Sequence, residues 1–415
     1  MIARRSASLG GMVRSPTRSR ADPLLDMVQD APDPVFWEAC DDDPDAFDAA
    51  LPQPRKGRGA VSNRAGRFEP RVTDRVDDGW APTAGVAPEP EALPDRVRTT
   101  VAIDSSRTVI ARNSSPDVPF DRSVNPYRGC EHGCVYCFAR PTHAYLGLSP
   151  GLDFETRLTA KPDAPEQLRR ELSRRGYKPE TLAMGTNTDP YQPIEREMRI
   201  TRGLLEVLAE FEHPVMIVTK SDLVTRDLDI LGPMAAKGLA KVGLSVTSLD
   251  RELARTLEPR APRPDKRLAA IRACVAAGVP ASVLVAPIIP AVNDHEIEAI
   301  LERAAEAGAD SASWVLLRLP LEIEDLMREW LEAHVPDRAE RVLSLVRQSR
   351  GGKLYRAEFG RRMTGEGPYA QMIAQRFRLA CARLGLTRRT AALDCSRFRV
   401  PDRLKSAPQA QMSLF

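Results

Sequence analysis

No stretch of this 415-residue chain approaches the roughly 18 consecutive apolar residues that a membrane span needs, and no membrane association is expected. A disulfide framework is missing too. The seven cysteines are odd in number and irregularly spaced, which fits a reducing cytoplasm where thiolates bind metals rather than one another. Net charge is also scarce: a formal +3 is too small to argue for nucleic acid by itself, so the local distribution of charge must carry any such argument. What remains, 42% hydrophobic and 28% charged residues, is the composition of a soluble globular chain with room for one large domain or two ordinary ones.

Residues 1–95 lack periodicity. Arg4 to Arg20 is basic and without acids, an acidic block including Asp41, Asp42 and Asp43 follows, and a second basic stretch begins at Arg55. Prolines interrupt throughout, and the expectation is a disordered Pro/Arg/Asp-rich region. The first 20 residues have the composition of an organellar transit peptide, and equally of an unstructured bacterial leader or of a misplaced start. Lys56 to Glu69 is read as solvated tail, with docking on the folded part or on nucleic acid as the other outcomes.

From about Arg98 short apolar runs alternate with amphipathic stretches, the pattern of β/α units around a parallel sheet. Strands are expected at Ser123 to Tyr127, Thr181 to Gly185, Val215 to Thr219, Ala240 to Val246, Ala281 to Ala286 and Ser313 to Leu317. Helices are expected at Ala164 to Arg175, Ile200 to Phe211, Leu223 to Met234, Pro264 to Ala277 and Asp294 to Ala307. Six such units predict an α/β fold, a partial (β/α)6 TIM-like barrel over 96–320. A helical and basic extension over 321–405 and a tail over 406–415 complete the chain.

Three cysteines, Cys130, Cys134 and Cys137, stand in C-x3-C-x2-C spacing just after the first strand. Three thiolates hold a four-iron cluster by three corners and leave one iron open to a small molecule. They also make three quarters of a zinc site, which His132 or His143 could complete, or a chance group of buried thiols. Position separates these readings. In such barrels catalytic groups sit where strands end and loops begin. There the sequence places the cysteines, Asn187 to Asp189, Lys220, and Ser245 to Ser248.

The cysteine spacing, with Tyr136 before the last thiol, resembles that of radical S-adenosylmethionine enzymes. Within them the chain is similar to the spore photoproduct lyase-related "DNA repair photolyase" group. The shared segments are Asn125-Pro126-Tyr127-x-Gly129-Cys130, Asp189-Pro190-Tyr191-Gln192-Pro193-x-Glu195, Thr219-Lys220-Ser221 and Ala286-Pro287-Ile288-Ile289-Pro290. The resemblance covers roughly Ser123 to Leu319. It implies that Cys130, Cys134 and Cys137 ligate a [4Fe–4S] cluster whose open iron chelates S-adenosylmethionine, and that an electron donor reduces it. Charge logic then makes Thr188 and Asp189 candidates for the methionine amino group and Lys220 for its carboxylate. Ser245 is the candidate for the ribose, and backbone around Ala286 and Ile288 for the adenine. Tyr127 and Tyr136 are read as packing against the cluster. Cys274 and Cys381 are read as buried helix thiols.

No catalytic residue is named, because spore photoproduct lyase uses a further cysteine as hydrogen donor and none occurs here between Cys137 and Cys274. The resemblance does not carry over the substrate; the leading expectation is action on DNA in repair, with a small molecule, protein or RNA as the alternative. Gln411, Leu414 and Phe415 resemble a peptide that binds the bacterial β sliding clamp, in which Leu and Phe fill an apolar pocket and Gln bonds at its rim. A non-enzymatic, metal-bearing protein tethered at the replisome is the remaining reading.

Overall fold

A computed structural model of the chain describes residues 54–69, 97–388 and 392–404. The clamp-like tail and most of 1–95 lie outside the described residues. Among the described residues ten strands fall in two sheets. In the larger sheet, β3 (Arg122–Val124), β6 (Leu182–Met184), β7 (Val215–Thr219), β8 (Ala240–Ser245), β9 (Ala281–Ile288) and β10 (Ser311–Leu316) run parallel in chain order. β2 (Ile110–Arg112) joins β3 antiparallel at one edge. The smaller sheet sets β5 (Arg157–Ala160) between β1 (Thr100–Ile103) and β4 (Tyr127–Arg128). Parallel neighbours in chain order need a crossover each, and the amphipathic helices Ala164–Leu172, Ile200–Glu210, Leu228–Ala236, Pro264–Ala276 and Ile297–Glu306 supply them.

Three expected boundaries move. The first strand splits: Arg122–Val124 pairs with β6, whereas Tyr127–Arg128 turns into the smaller sheet and aims the following loop. The stretch after β7 is not one helix but a 3-10 segment, Asp222–Asp227, started by the Ser221 hydroxyl on the Leu223 amide, before the helix Leu228–Ala236. β9 does not stop at Pro287. It continues to Ile288, where the Leu317 amide bonds the Ile288 carbonyl; proline removes a donor but leaves an acceptor edge intact.

The main core fills the space between sheet and crossover helices, with Leu204, Leu208, Phe211, Ile271 and Ile300 inside. A second core is built from the helices Ile323–His334 and Pro336–Gln348 around the fully buried Trp330. It packs on Val135 of the cysteine loop and on Ile289 and Leu317 beyond β9 and β10. The C-terminal helices are therefore part of the wall behind the cysteines. No helix among the described residues is long and apolar enough to cross a membrane.

Candidate active site

The cysteine loop is fixed from inside by a guanidinium. Arg140, fully buried, donates to the carbonyls of Cys134 (2.8 Å), Gly133 (3.1 Å), Pro150 (3.0 Å) and Gly151 (2.9 Å), and to the buried Glu155 carboxylate (2.5 Å). A loop carries unpaired backbone acceptors that must be satisfied when buried. One planar donor with five N–H groups answers four of them while Glu155 balances its charge.

The arm of residues 54–69 docks on the same carboxylate. The amides of Gly59 (3.0 Å) and Ala60 (2.8 Å) bond Glu155, and Arg58 donates to its carbonyl at 3.0 Å. Gly59 has no alternative here: a Cβ would stand 1.8 Å from the Gly133 carbonyl oxygen. The segment expected as solvated tail thus lies against the cysteine loop, because its backbone donors meet a buried carboxylate.

Strand ends are sewn together in order. Thr188, after β6, donates its hydroxyl to the Tyr127 carbonyl (2.8 Å). Gln192 accepts from the Glu131 amide (2.9 Å) and donates to the Gly129 carbonyl (3.2 Å). Asp189 takes four donors: the Tyr191 amide, the Thr219 hydroxyl (2.6 Å), the Lys220 amide (2.8 Å) and His132 Nδ1 (3.3 Å). Burial raises its pKa, but these partners outweigh burial and bring it to about 2. Gly185, at φ +84°, lets β6 end within touch of β7, where a Cβ would meet the Val218 oxygen at 1.8 Å.

Beyond β7, the Lys220 ammonium stands 5.6 Å from the centre of the Tyr136 ring, and among the described residues no carboxylate pairs with it. The buried Tyr136 hydroxyl donates to Glu258 and lies 3.2 Å from the Thr247 hydroxyl. Glu258 also accepts from Thr247 (2.6 Å) and from the buried Arg267. Burial raises its pKa, but Arg267 and Lys220 overcome that and hold it near 2. Asn293 closes the series, accepting from the Ile289 amide and donating to the carbonyls of Thr247 (2.7 Å) and Pro287 (3.0 Å).

Cys130 and Cys134 are buried and Cys137 is partly so, all as free thiols. Burial, and then for Cys130 Asp189 and the other two cysteines, pushes the Cys130 thiol well up. Burial pushes Cys134 to about 12 although Lys220 opposes it. Three free thiols side by side without a disulfide fit a metal cluster, whose positive charge supplies what burial withholds.

The predicted residues come to one face in part. Thr188, Asp189 and Lys220 surround the cysteine loop as described. Asp189 has its roughly four acceptor positions filled, so it acts there through position and charge. Ser245 is buried at the end of β8, its carbonyl held by Arg267 (3.1 Å). The Ala286 carbonyl accepts from Thr247 (3.2 Å), and the Ile288 carbonyl is spent on Leu317. His143 faces Phe154 and the Arg157 carbonyl, and Cys274 and Cys381 are buried in helices, as expected. Gln192, Glu195, Glu258, Arg267 and Asn293 were not singled out. Gln192 and Glu195 lie inside a quoted segment, but nothing near Glu258 or Asn293 marked them.

A family model described as the radical SAM superfamily matches residues 124–304. An uncharacterized protein of Mycobacterium tuberculosis is 39% identical over 233 residues, covering 56% of this chain and 68% of the relative. An uncharacterized protein of Methanocaldococcus jannaschii is 27% identical over 173 residues, covering 42% and 62%. The chain belongs to the radical SAM superfamily. It is accordingly an enzyme of that class, which works with a [4Fe–4S] cluster and S-adenosylmethionine and draws on an electron donor. Among solved structures, spore photoproduct lyase complexed with dinucleoside spore photoproduct gives a TM-score of 0.49 at 17% identity, covering 69% of this chain and 80% of that one. Streptococcus suis SuiB bound to S-adenosylmethionine gives 0.32 at 15% identity, covering 53% and 44%.

Proposed function

We propose that Cys130, Cys134 and Cys137 hold the cluster at the mouth of a partial (β/α)6 barrel and that the enzyme acts on DNA in repair. Held there by Cys130, Cys134 and Cys137, a reduced [4Fe–4S] cluster would supply the electron for reductive cleavage of S-adenosylmethionine. The chain's own part is placement. Lys220 takes the methionine carboxylate, the Thr188–Asp189 loop faces its amino group with negative charge, Ser245 takes the ribose, and backbone at Ala286 and Ile288 borders the adenine. The observation that carries this reading is Lys220: a cation beside Cys134, held against Tyr136, with no carboxylate within ion-pair distance among the described residues.

DNA is supported by the surface next to the loop. Phe138, directly after Cys137, is 49% exposed with Arg318 over its face, and Phe359, 41% exposed, lies against Arg362, whose charge Asp117 balances. Exposed rings interleaved with guanidinium groups stack bases and hold the backbone between them. Gln411, Leu414 and Phe415 would recruit the enzyme to the sliding clamp.

Anaerobic reconstitution tests the reading. The wild type binds four irons per chain and forms 5′-deoxyadenosine. Each of Cys130→Ala, Cys134→Ala and Cys137→Ala loses the cluster, and Lys220→Met weakens S-adenosylmethionine binding roughly tenfold or more. Iron retained in any cysteine variant refutes the ligand assignment. Clamp affinity unchanged after removal of residues 411–415 refutes the recruitment peptide.

A further inference from the structure

Three arginines rank among the largest fully buried side chains, and they are not treated alike. Arg140 is paired with Glu155 and Arg267 with Glu258. Arg350, 1% exposed, has no carboxylate among the described residues. Its guanidinium donates to the carbonyls of Leu316 (3.3 Å), Leu317 (2.7 Å) and Arg362 (3.0 Å), and its buried Nε has no partner. Burial and then the neighbouring Arg318 depress its pKa to about 10. Two like charges brought together out of water are expensive unless a counter-ion joins them.

Arg318, on the residue after Leu317, repeats the pattern. It donates to the Tyr355 hydroxyl (3.3 Å) and the Met363 sulfur (3.5 Å), both weak acceptors for a guanidinium. Its Nε is buried and unpartnered, and no ion pair engages it among the described residues. The nearby acids are spent elsewhere: Glu358 and Glu366 on Arg356 and Arg361, and Asp117 on Arg362. The guanidinium carbon lies 5.5 Å from the centre of the Phe138 ring and 5.9 Å from that of Tyr355.

We propose that Arg318, with Arg350 behind it, forms a phosphate-binding site beside the cysteine loop, and that the phosphate it takes belongs to the nucleic-acid substrate. A guanidinium with no carboxylate on it among the described residues matches the charge and the planar donor geometry that a phosphate oxygen pair takes. The flanking rings suit a base attached to that phosphate, with Phe138 placing it next to Cys137. The choice of nucleic acid rests on the function proposed above; the anion site does not.

The test uses the reconstituted full chain and two probes, inorganic phosphate and a short oligothymidylate, with binding measured calorimetrically across a salt series. Phosphate should bind the wild type, and Arg318→Gln should weaken it roughly tenfold. Arg318→Lys, which keeps the charge and loses the fork, should fall between. Arg356→Gln removes a neighbouring arginine already paired with acids and should leave phosphate binding unchanged. Iron content checks that each variant is folded. For the oligonucleotide, Arg318→Gln should lower the slope of log K against log salt by about one. Equal phosphate binding by wild type and Arg318→Gln, or an equal loss in Arg356→Gln, overturns the site. Phosphate binding that depends on Arg318 while the oligonucleotide fails to bind at low salt keeps the site and overturns the DNA reading.

Discussion

Replacing Glu155 by glutamine tests how the cysteine loop is held. The carboxylate is fully buried and takes the Gly59 and Ala60 amides and an Arg140 Nη2. Glutamine keeps the shape but removes the charge, and its amide nitrogen must face one of these donors. Breaking a buried pair from one side costs about 3–5 kcal/mol, because the surviving ion is left uncompensated. A donor turned against a donor adds about 1–3 kcal/mol for the unsatisfied group. Partial relaxation of the arm takes some of this back, so the expected loss is about 4 kcal/mol, most of it inside the cysteine loop that Arg140 braces.

Guanidinium denaturation of anaerobic protein, followed by circular dichroism, measures the loss. A double-mutant cycle with Arg140→Met apportions it: the double variant should lose less than the sum of the singles, since no lone charge remains. Trypsin should also cut sooner at Arg58 and Arg64 in Glu155→Gln. The reasoning is refuted by a loss below about 1 kcal/mol, or by strictly additive singles, either of which would mean that the pair carries no buried charge worth the name.

Two other outcomes are expected. Gly59→Ala forces a Cβ onto the Gly133 oxygen, so it should free the arm to proteolysis while leaving helix content unchanged; an unchanged cleavage rate would show that the arm is not seated there. His213 is held neutral, its Nδ1 donating to the Pro214 carbonyl (3.0 Å) and its Nε2 accepting from Tyr177 (2.9 Å), and burial lowers its pKa to about 4 from 6.5. Between those values the unfolded chain binds a proton that the folded chain refuses. Stability is therefore complete above pH 6.5 and declines toward pH 4, by about 3 kcal/mol from this residue. His213→Gln should flatten that part of the stability–pH curve relative to wild type, and parallel curves would refute the assignment.

Much of the architecture was legible because apolar periodicity and strand-end polarity are local. β7 falls on its expected residues, and the other parallel strands of the larger sheet overlap theirs within a few residues. The cysteine spacing was equally local, since all three thiols lie within eight residues. What the sequence did not disclose depends on distance along the chain. Glu155 meets Gly59 across 96 residues, Tyr136 meets Glu258 across 122, and Asn293 reaches back 46 to Thr247. A glutamate just past a helix end looks the same whether it faces water or a buried arginine, so only the fold could separate Glu258 from its solvated neighbours. The arm was misjudged for a related reason. Its contribution is made by backbone amides and by the smallness of Gly59, and neither leaves a mark in hydrophobic pattern.

The charges around the loop divide into two kinds, and the division orders the site. Arg140, Arg226 and Arg267 each face a buried carboxylate, Glu155, Glu195 and Glu258, and all three brace loops or strand ends. Lys220 and Arg318 have no carboxylate within ion-pair distance among the described residues, although Glu258 and Asp189 act on Lys220 from farther off. Each instead lies over an aromatic ring, Lys220 over Tyr136 and Arg318 over Phe138, the two residues that flank Cys137. A ring face holds a cation in place without neutralising it, so both charges stay available to an anion. One stands on the side of the β7 end and the other on the side of the β10 end. On the function and the phosphate site proposed above, one cation would meet the carboxylate of the cofactor and the other the phosphate of the substrate, one on each side of the last cysteine.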